Sequence, residues 1–296
     1  MNRLKDQKII YHDGKFLPTE NFGIAIDSQT LHYGFGAFEG MRSYQTANGT
    51  KLFKAKQHFE RLKNSCQQIH LPFSWDVTEL IADTYKLLAA NQLQDAYIRP
   101  IVIAEQDMTM VNAESSHIMM MAWQWDSYYG GEVLKTTLST FESNNPKSTP
   151  VEAKITGNYL NAVLAVSDAK RKGFDEAILT DIYGYLTEAT SANLFIEKDG
   201  KLFTPKKGNI IAGITRATVI QIAKQLDIEV IEKDLRPNEL KNADAAFLCG
   251  TAVEIIGIGS VDDKQFSTPF AETLGASIQR VYKNLVLDKL SFEVII

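Results

Sequence analysis

The sequence predicts an α+β protein in two domains. Its 296 residues are enough for two cores of ordinary size. Strand-like and helix-like stretches are mixed along it, with no internal repeat. Paired glycines in Asp126-Ser127-Tyr128-Tyr129-Gly130-Gly131 mark a linker, leaving a small domain over 1–125 and a large one over 132–296.

The elements follow in order. Ile9 to Leu17 reads as a hairpin about Asp13-Gly14, a pair that favours the tight primed turns. Phe59, Leu62 and Cys66 recur at helical spacing over 56–66, and Pro72 is expected to close that helix. Val77, Leu80, Ile81, Tyr85 and Leu88 mark a second helix over 76–92. Ala96 to Ala104 and His117 to Trp125 read as buried strands. Beyond the linker, a strand over 134–141 and a polar loop lead to Lys154. A helix then runs from Tyr159 to Lys172, with Gly173 as its C-cap. Strands follow at 176–180, about a turn at Gly184, and in a hairpin about Asp199-Gly200. A helix over 215–227 and a short strand from Ala245 to Cys249 complete the reading.

Composition narrows the function. An apolar fraction of 45% and a charged fraction of 23% are those of a globular protein. A net charge of −5 offers no basic field, so neither nucleic acid nor an anionic membrane is an expected partner. Cys66 and Cys249 cannot build a disulfide framework and read as reduced thiols. The first residues lack the apolar stretch of a signal peptide, and the cytoplasm is expected. The five histidines show no ligand spacing, so no catalytic metal is expected.

The chemistry lies around Lys154, in Ala153-Lys154-Ile155-Thr156-Gly157-Asn158-Tyr159. Small and apolar neighbours lower a lysine's basicity and leave free amine. Glu188 follows, then two glycine-led turns, Gly213-Ile214-Thr215-Arg216 and Gly250-Thr251-Ala252-Val253-Glu254. An amine for a Schiff base, a carboxylate for a pyridine nitrogen and donor-rich turns for a phosphate are what pyridoxal 5'-phosphate needs. Gly213-Ile214-Thr215 precedes a helix, where N–H groups suit an anion. Arg61 is a candidate bidentate phosphate partner. Arg99 stands inside an apolar strand, where a guanidinium needs a partner; a substrate carboxylate and a structural ion pair both stay open.

Seven ordered blocks extend the pattern. They are His32 through Arg42, His58 through Leu62, Tyr97 through Pro100, Ala153 through Leu160, Glu188 through Phe195, Gly213 through Arg216 and Gly250 through Glu254. In these the chain resembles the class IV aminotransferases of pyridoxal-phosphate fold type IV, and within them the branched-chain amino-acid aminotransferases. The resemblance implies the D-amino-acid-aminotransferase-like fold, with a small α+β domain and a larger domain holding a barrel-like sheet. It implies transamination between leucine, isoleucine or valine and 2-oxoglutarate, in a homodimer or higher homo-oligomer.

It also implies residue roles. Lys154 would carry the cofactor and move the substrate proton, Tyr159 would contact the phenolic oxygen and Glu188 the ring nitrogen. Arg61, Ile214, Thr215 and Thr251 would bind the phosphate. The substrate α-carboxylate would meet Tyr97, Thr251 and Ala252. Phe38, Trp125 and Val111 would wall the side-chain pocket, and Arg99 would take the glutamate side chain with help from Tyr33 and Tyr128. Tyr33 and Val111 would enter from another part of the dimer. Three positions depart from the family's pattern: Met108-Thr109-Met110-Val111 replaces a glycine-rich loop, Ala192 stands for a glutamate and Ser143 for a basic residue. None of them touches the Schiff-base chemistry. An aminodeoxychorismate lyase and a D-amino-acid or amine transaminase are the other readings this fold leaves open.

Overall fold

Asp13 and Gly14, both left-handed with φ of 45° and 82°, fold β1 (Ile9–His12) onto β2 (Lys15–Pro18). The computed structural model describes residues 8–105, 108–125 and 133–290. They fall into two units, Met1–Asp126 with Ala153–Tyr159, and Ser127–Glu152 with Leu160–Ile296. The expected linker at 126–131 lies outside the described residues.

In the first unit α1 (Gln29–Tyr33) precedes β3 (Gly36–Phe38), β4 (Met41–Thr46) and β5 (Gly49–Leu52). Then come α2 (Ala55–Gln68), α3 (Val77–Ala90), β6 (Ala96–Ala104) and β7 (Ser116–Gln124). The seven strands form one antiparallel sheet in the order β2-β1-β7-β6-β4-β5, with β3 also on β6. Helix α2 buries Phe59, Leu62 and Cys66 with Leu80, Leu87 and Leu88 of α3 in a common core. Asp76 caps α3 by accepting from the N–H groups of Thr78 and Glu79. Helix α2 ends before Pro72 is reached. His70 turns left-handed with φ 55° and Leu71 N–H returns to the Cys66 carbonyl at 2.9 Å, so a backbone C-cap stops the helix and the proline does not.

The segment from Ala153 to Tyr159 belongs with this sheet. Ala37 and Ile155 form an antiparallel bridge, and Gly157 N–H donates to the Gly34 carbonyl at 3.0 Å. A Cβ on Gly34 would stand 2.6 Å from the Gly157 Cα, so the two backbones approach this closely only as glycines.

The second unit starts with β8 (Val133–Leu138) and α4 (Tyr159–Arg171). There follow β9 (Glu176–Thr180), β10 (Leu186–Ala189), β11 (Asn193–Lys198), β12 (Lys201–Pro205) and α5 (Ile214–Gln225). The remainder is β13 (Val230–Lys233), α6 (Pro237–Lys241), β14 (Ala245–Gly250), β15 (Glu254–Val261), β16 (Lys264–Gln265) and α7 (Leu274–Val286). Strand β10 pairs with both β9 and β11, so β10-β9-β8-β15-β14-β11 closes on itself. This is the barrel-like sheet that the family resemblance implied. Leu134, Ile178, Leu194, Leu248 and Ile256 share its apolar core.

Candidate active site

The backbone of Lys154 is held from two sides. Its N–H donates to the Ser65 hydroxyl of α2 at 3.0 Å, and its carbonyl accepts from Phe38 N–H of β3 at 3.0 Å. Its Nζ hydrogen-bonds to the Tyr159 hydroxyl and lies 4.8 Å from the ring centres of both Phe38 and Tyr159. Those rings meet edge to face, 4.6 Å apart. Burial pushes the amine down to about 8; Glu39 and Tyr97 oppose the shift, while Arg61 and Arg99 add to it. An amine held near 8 is partly neutral at physiological pH, which is the nucleophilic form.

A buried carboxylate stands beside it. Glu39, 0% exposed, accepts from Arg61 Nε at 2.5 Å and Arg61 Nη2 at 3.0 Å, and from His58 Nδ1 at 2.8 Å. Burial by itself would raise the Glu39 carboxyl, but Arg61 and His58 outweigh it and hold the group well below the usual carboxylate range. The same burial lowers His58 against the pull of Glu39. Arg61 and His58 share one face of α2 at the i, i+3 spacing.

Arg99 lies in the same neighbourhood. Its Nη2 donates to the Tyr97 hydroxyl at 2.9 Å, and its guanidinium carbon is 4.6 Å from the Phe38 ring centre and 5.3 Å from that of Tyr97. Its Nε is buried without a hydrogen-bond partner, and no carboxylate pairs with it among the described residues. Among the described residues the structural ion pair that the sequence leaves open is not formed. Trp125 stacks on Tyr97 at 4.8 Å, so Phe38, Tyr97 and Trp125 form an aromatic wall beside the cation.

Tyr33 and Val111 do not join this cluster. They are 44% and 67% exposed, and the Tyr33 hydroxyl donates to the Met108 carbonyl at 3.2 Å. Gln29 Nε2 holds the same loop through the carbonyls of Thr109 and Val111, at 2.8 and 2.7 Å. Tyr128 lies outside the described residues.

The second unit carries the expected carboxylate and turns. Glu188 sits across the β10–β11 ladder from Asn193. Its Oε2 accepts from Asn193 Nδ2 at 2.9 Å and its Oε1 from Ile211 N–H at 3.1 Å. Asn193 Nδ2 also donates to the Ile211 carbonyl at 3.0 Å. A Cβ on Gly213 would stand 2.0 Å from Asn193 Oδ1, so a larger residue here would have to displace the amide that aims Glu188. Gly213 opens α5 without a side-chain cap, which leaves the first-turn N–H groups of Ile214 and Thr215 suited to an anion. Thr251 and Ala252 lie in the tight turn between β14 and β15, where Gly250 pairs with Glu254.

The chain has counterparts among known proteins. The family model for class IV amino-transferases matches residues 36–261. A branched-chain-amino-acid aminotransferase of Escherichia coli strain K12 is 34% identical over 289 residues, covering 95% of this chain and 94% of that protein. The chain belongs to the class IV amino-transferases. The structure of a branched-chain aminotransferase from Thermoproteus uzoniensis with norvaline superposes with a TM-score of 0.92 at 32% identity, covering 96% of each chain. That of a branched-chain amino acid aminotransferase from Thermobaculum terrenum in its PLP-form gives 0.90 at 27% identity, over 96% of this chain and 95% of the other.

Three residues of this class IV amino-transferase stand out only in the structure. Glu39, His58 and Asn193 all lie inside the recognised blocks, yet sequence reasoning gave them no role. A carboxylate within Ala37-Phe38-Glu39-Gly40 was the available signal, because an acid in an apolar run needs a partner. Nothing in the sequence pointed to Asn193 as the residue that aims Glu188.

Proposed function

We propose that the chain transfers amino groups between L-leucine, L-isoleucine or L-valine and 2-oxoglutarate, using pyridoxal phosphate. The observation that carries this reading is the Lys154 cluster, a hydrogen-bonded lysine of lowered basicity beside an aromatic-lined guanidinium with no carboxylate partner among the described residues. Family membership supplies its context, since the named relatives are branched-chain aminotransferases. The residues suit the cofactor: a nucleophilic amine, a pre-aimed carboxylate and a helix N-terminus without a side-chain cap. Bound pyridoxal phosphate supplies a ring that withdraws electrons and stabilises negative charge at the substrate's α-carbon.

Each residue then has a definite task. Lys154 Nζ would hold the cofactor and would move the proton of the substrate's α-carbon. The Tyr159 hydroxyl would hydrogen-bond to the cofactor's phenolic oxygen. Glu188, whose oxygens are already oriented by Asn193 and Ile211, would face the ring nitrogen and favour its protonated form. Arg61, the Ile214 backbone and the hydroxyls of Thr215 and Thr251 bind phosphate. Tyr97 and the N–H groups of Thr251 and Ala252 take the α-carboxylate. Phe38 and Trp125 keep water from an aliphatic side chain. Arg99, resting on aromatic faces, receives the second carboxylate of 2-oxoglutarate.

The protein works as a homo-oligomer on this reading. Tyr33 and Val111 are exposed in one chain and serve the pocket of a second copy. Exposed Leu160, Val163 and Leu164 on one stretch of α4 supply apolar surface for association. Cys66 and Cys249 are buried free thiols, which suits a reducing compartment, the cytoplasm. Among the described residues no helix is long and apolar enough to cross a membrane.

Adding single amino acids to the cofactor-loaded protein and following its visible absorbance tests the reading. L-leucine, L-isoleucine and L-valine should discharge the absorbance and D-leucine should not. A preference for D-leucine, or no discharge by any branched-chain amino acid, overturns it.

A further inference from the structure

We propose that His12, Asp13 and His117 form a binding site for a zinc-class divalent metal ion at one end of the β1–β7 pair in the first unit's sheet. The five histidines show no ligand spacing in sequence, but pairing of β1 with β7 brings His12 and His117 together, with ring centres 5.4 Å apart. Asp13 lies between them, held in the left-handed turn that joins β1 to β2. Its N–H donates to the Ile118 carbonyl at 3.1 Å, and its Oδ1 accepts from Ile118 N–H at 2.9 Å. The other oxygen, Oδ2, is thereby aimed at both imidazoles, 2.6 Å from His117 Nδ1 and 3.6 Å from His12 Nε2.

One donor atom from each of the three residues lies within 4.8 Å of the other two. Zinc takes imidazole and carboxylate donors at about 2.0–2.2 Å in tetrahedral geometry, which sets donors roughly 3.3 Å apart. The His12–Asp13 separation already suits this, and a modest turn of the His117 ring opens the shorter one. The far nitrogen of His117, Nε2, faces Glu105 Oε1 at 3.8 Å. A histidine whose second nitrogen faces a carboxylate is the arrangement that fixes the ring and strengthens its donor nitrogen at a metal. Glu105 is in turn hydrogen-bonded by the Ser115 hydroxyl. A cavity of about 480 Å³, lined by His12, Glu105 and His117 with Phe22 and Ile24, leaves room for water to complete the coordination. All three donors are partly exposed, so an ion can reach them, whereas Cys66 and Cys249 are buried and do not compete.

The site contains no residue assigned to transamination, so it can be tested apart from that reading. Untagged, cofactor-loaded protein is stripped with a chelator, equilibrated with micromolar zinc chloride, desalted and assayed for metal by mass spectrometry. The wild type should retain one zinc per chain and His12→Ala/His117→Ala none, with the same melting temperature in chelator. Asp13→Asn, which keeps the left-handed turn, should also lose the ion. Glu105→Gln should weaken binding about tenfold or more. Cobalt(II) in place of zinc should give visible ligand-field bands in the wild type that the double variant lacks. No retained zinc in the wild type, or equal zinc in the double variant, overturns the proposal.

Discussion

Asn193 donates its side-chain amide to Glu188 Oε2 at 2.9 Å from the position directly across the β10–β11 ladder. The same amide donates to the Ile211 carbonyl, whose own N–H holds the other Glu188 oxygen. The neighbouring strand and a loop 23 residues on thus aim one carboxylate. A hydrogen bond to a charged group is worth about 1.5–3 kcal/mol, so Asn193→Ala should lower kcat about 10–100-fold while Lys154 still takes up cofactor. Asn193→Asp should do worse, because a second carboxylate raises the pKa of Glu188. Steady-state rates on both variants check this; an unchanged kcat in Asn193→Ala would mean that Glu188 needs no aiming.

Arg99 is a cation on aromatic faces with a buried, unpartnered Nε. Replacing it by alanine should cut kcat/KM for 2-oxoglutarate by about 2–3 kcal/mol, roughly 30–150-fold, through loss of one charged pair. Turnover with the keto acid of leucine should fall far less. Equal losses on the two acceptors would give Arg99 a structural role only.

The lowered basicity of Lys154 sets a pH dependence. Burial holds its amine near 8 in the cofactor-free chain, and only the free amine attacks an aldehyde. Reloading of apoprotein with pyridoxal phosphate should accelerate as pH rises through about 8 and level off above it. A rate still climbing toward about pH 10 would show an unshifted lysine.

Glu39 bears on stability. Glu39→Gln removes a buried counter-charge of Arg61 while keeping an acceptor for His58, and breaking a buried pair costs about 3–5 kcal/mol. The folded-state pKa of Glu39 lies below its unfolded value, so the unfolded chain binds more protons between the two. The stability the carboxylate confers is therefore full above the ordinary range near about 4 and is lost as pH falls toward the folded value. Urea titrations should show a wild-type advantage that is constant from neutral pH down to about 4 and shrinks below it. An advantage that instead shrinks on the alkaline side would contradict the ion pair.

Much of this was legible in the sequence, for physical reasons. Long periodic stretches such as α2, α3 and β6 announced themselves, and Asp13-Gly14 and Gly173 marked their turns. Strands β3 to β5 did not, because Gly36 to Leu52 alternates poorly and is strand only through pairing with β6 and within the sheet. Pro72 marks a helix stop in the sequence, but His70 takes that role in the backbone. Lys154, Glu188 and Arg99 could be found because each is a polar group in a setting that demands a partner. Glu39 and the His12–His117 pair could not, since their meaning lies in contacts between residues far apart in the chain, and Asn193 could not, since its role depends on the β10–β11 register that sets it across from Glu188.

Lys154 is the centre of the account, and trapping tests it most directly. The purified protein should be yellow, and borohydride should fix pyridoxal phosphate irreversibly on the peptide that carries Lys154. A colourless protein that takes up no cofactor, or a label fixed on another lysine, would contradict it.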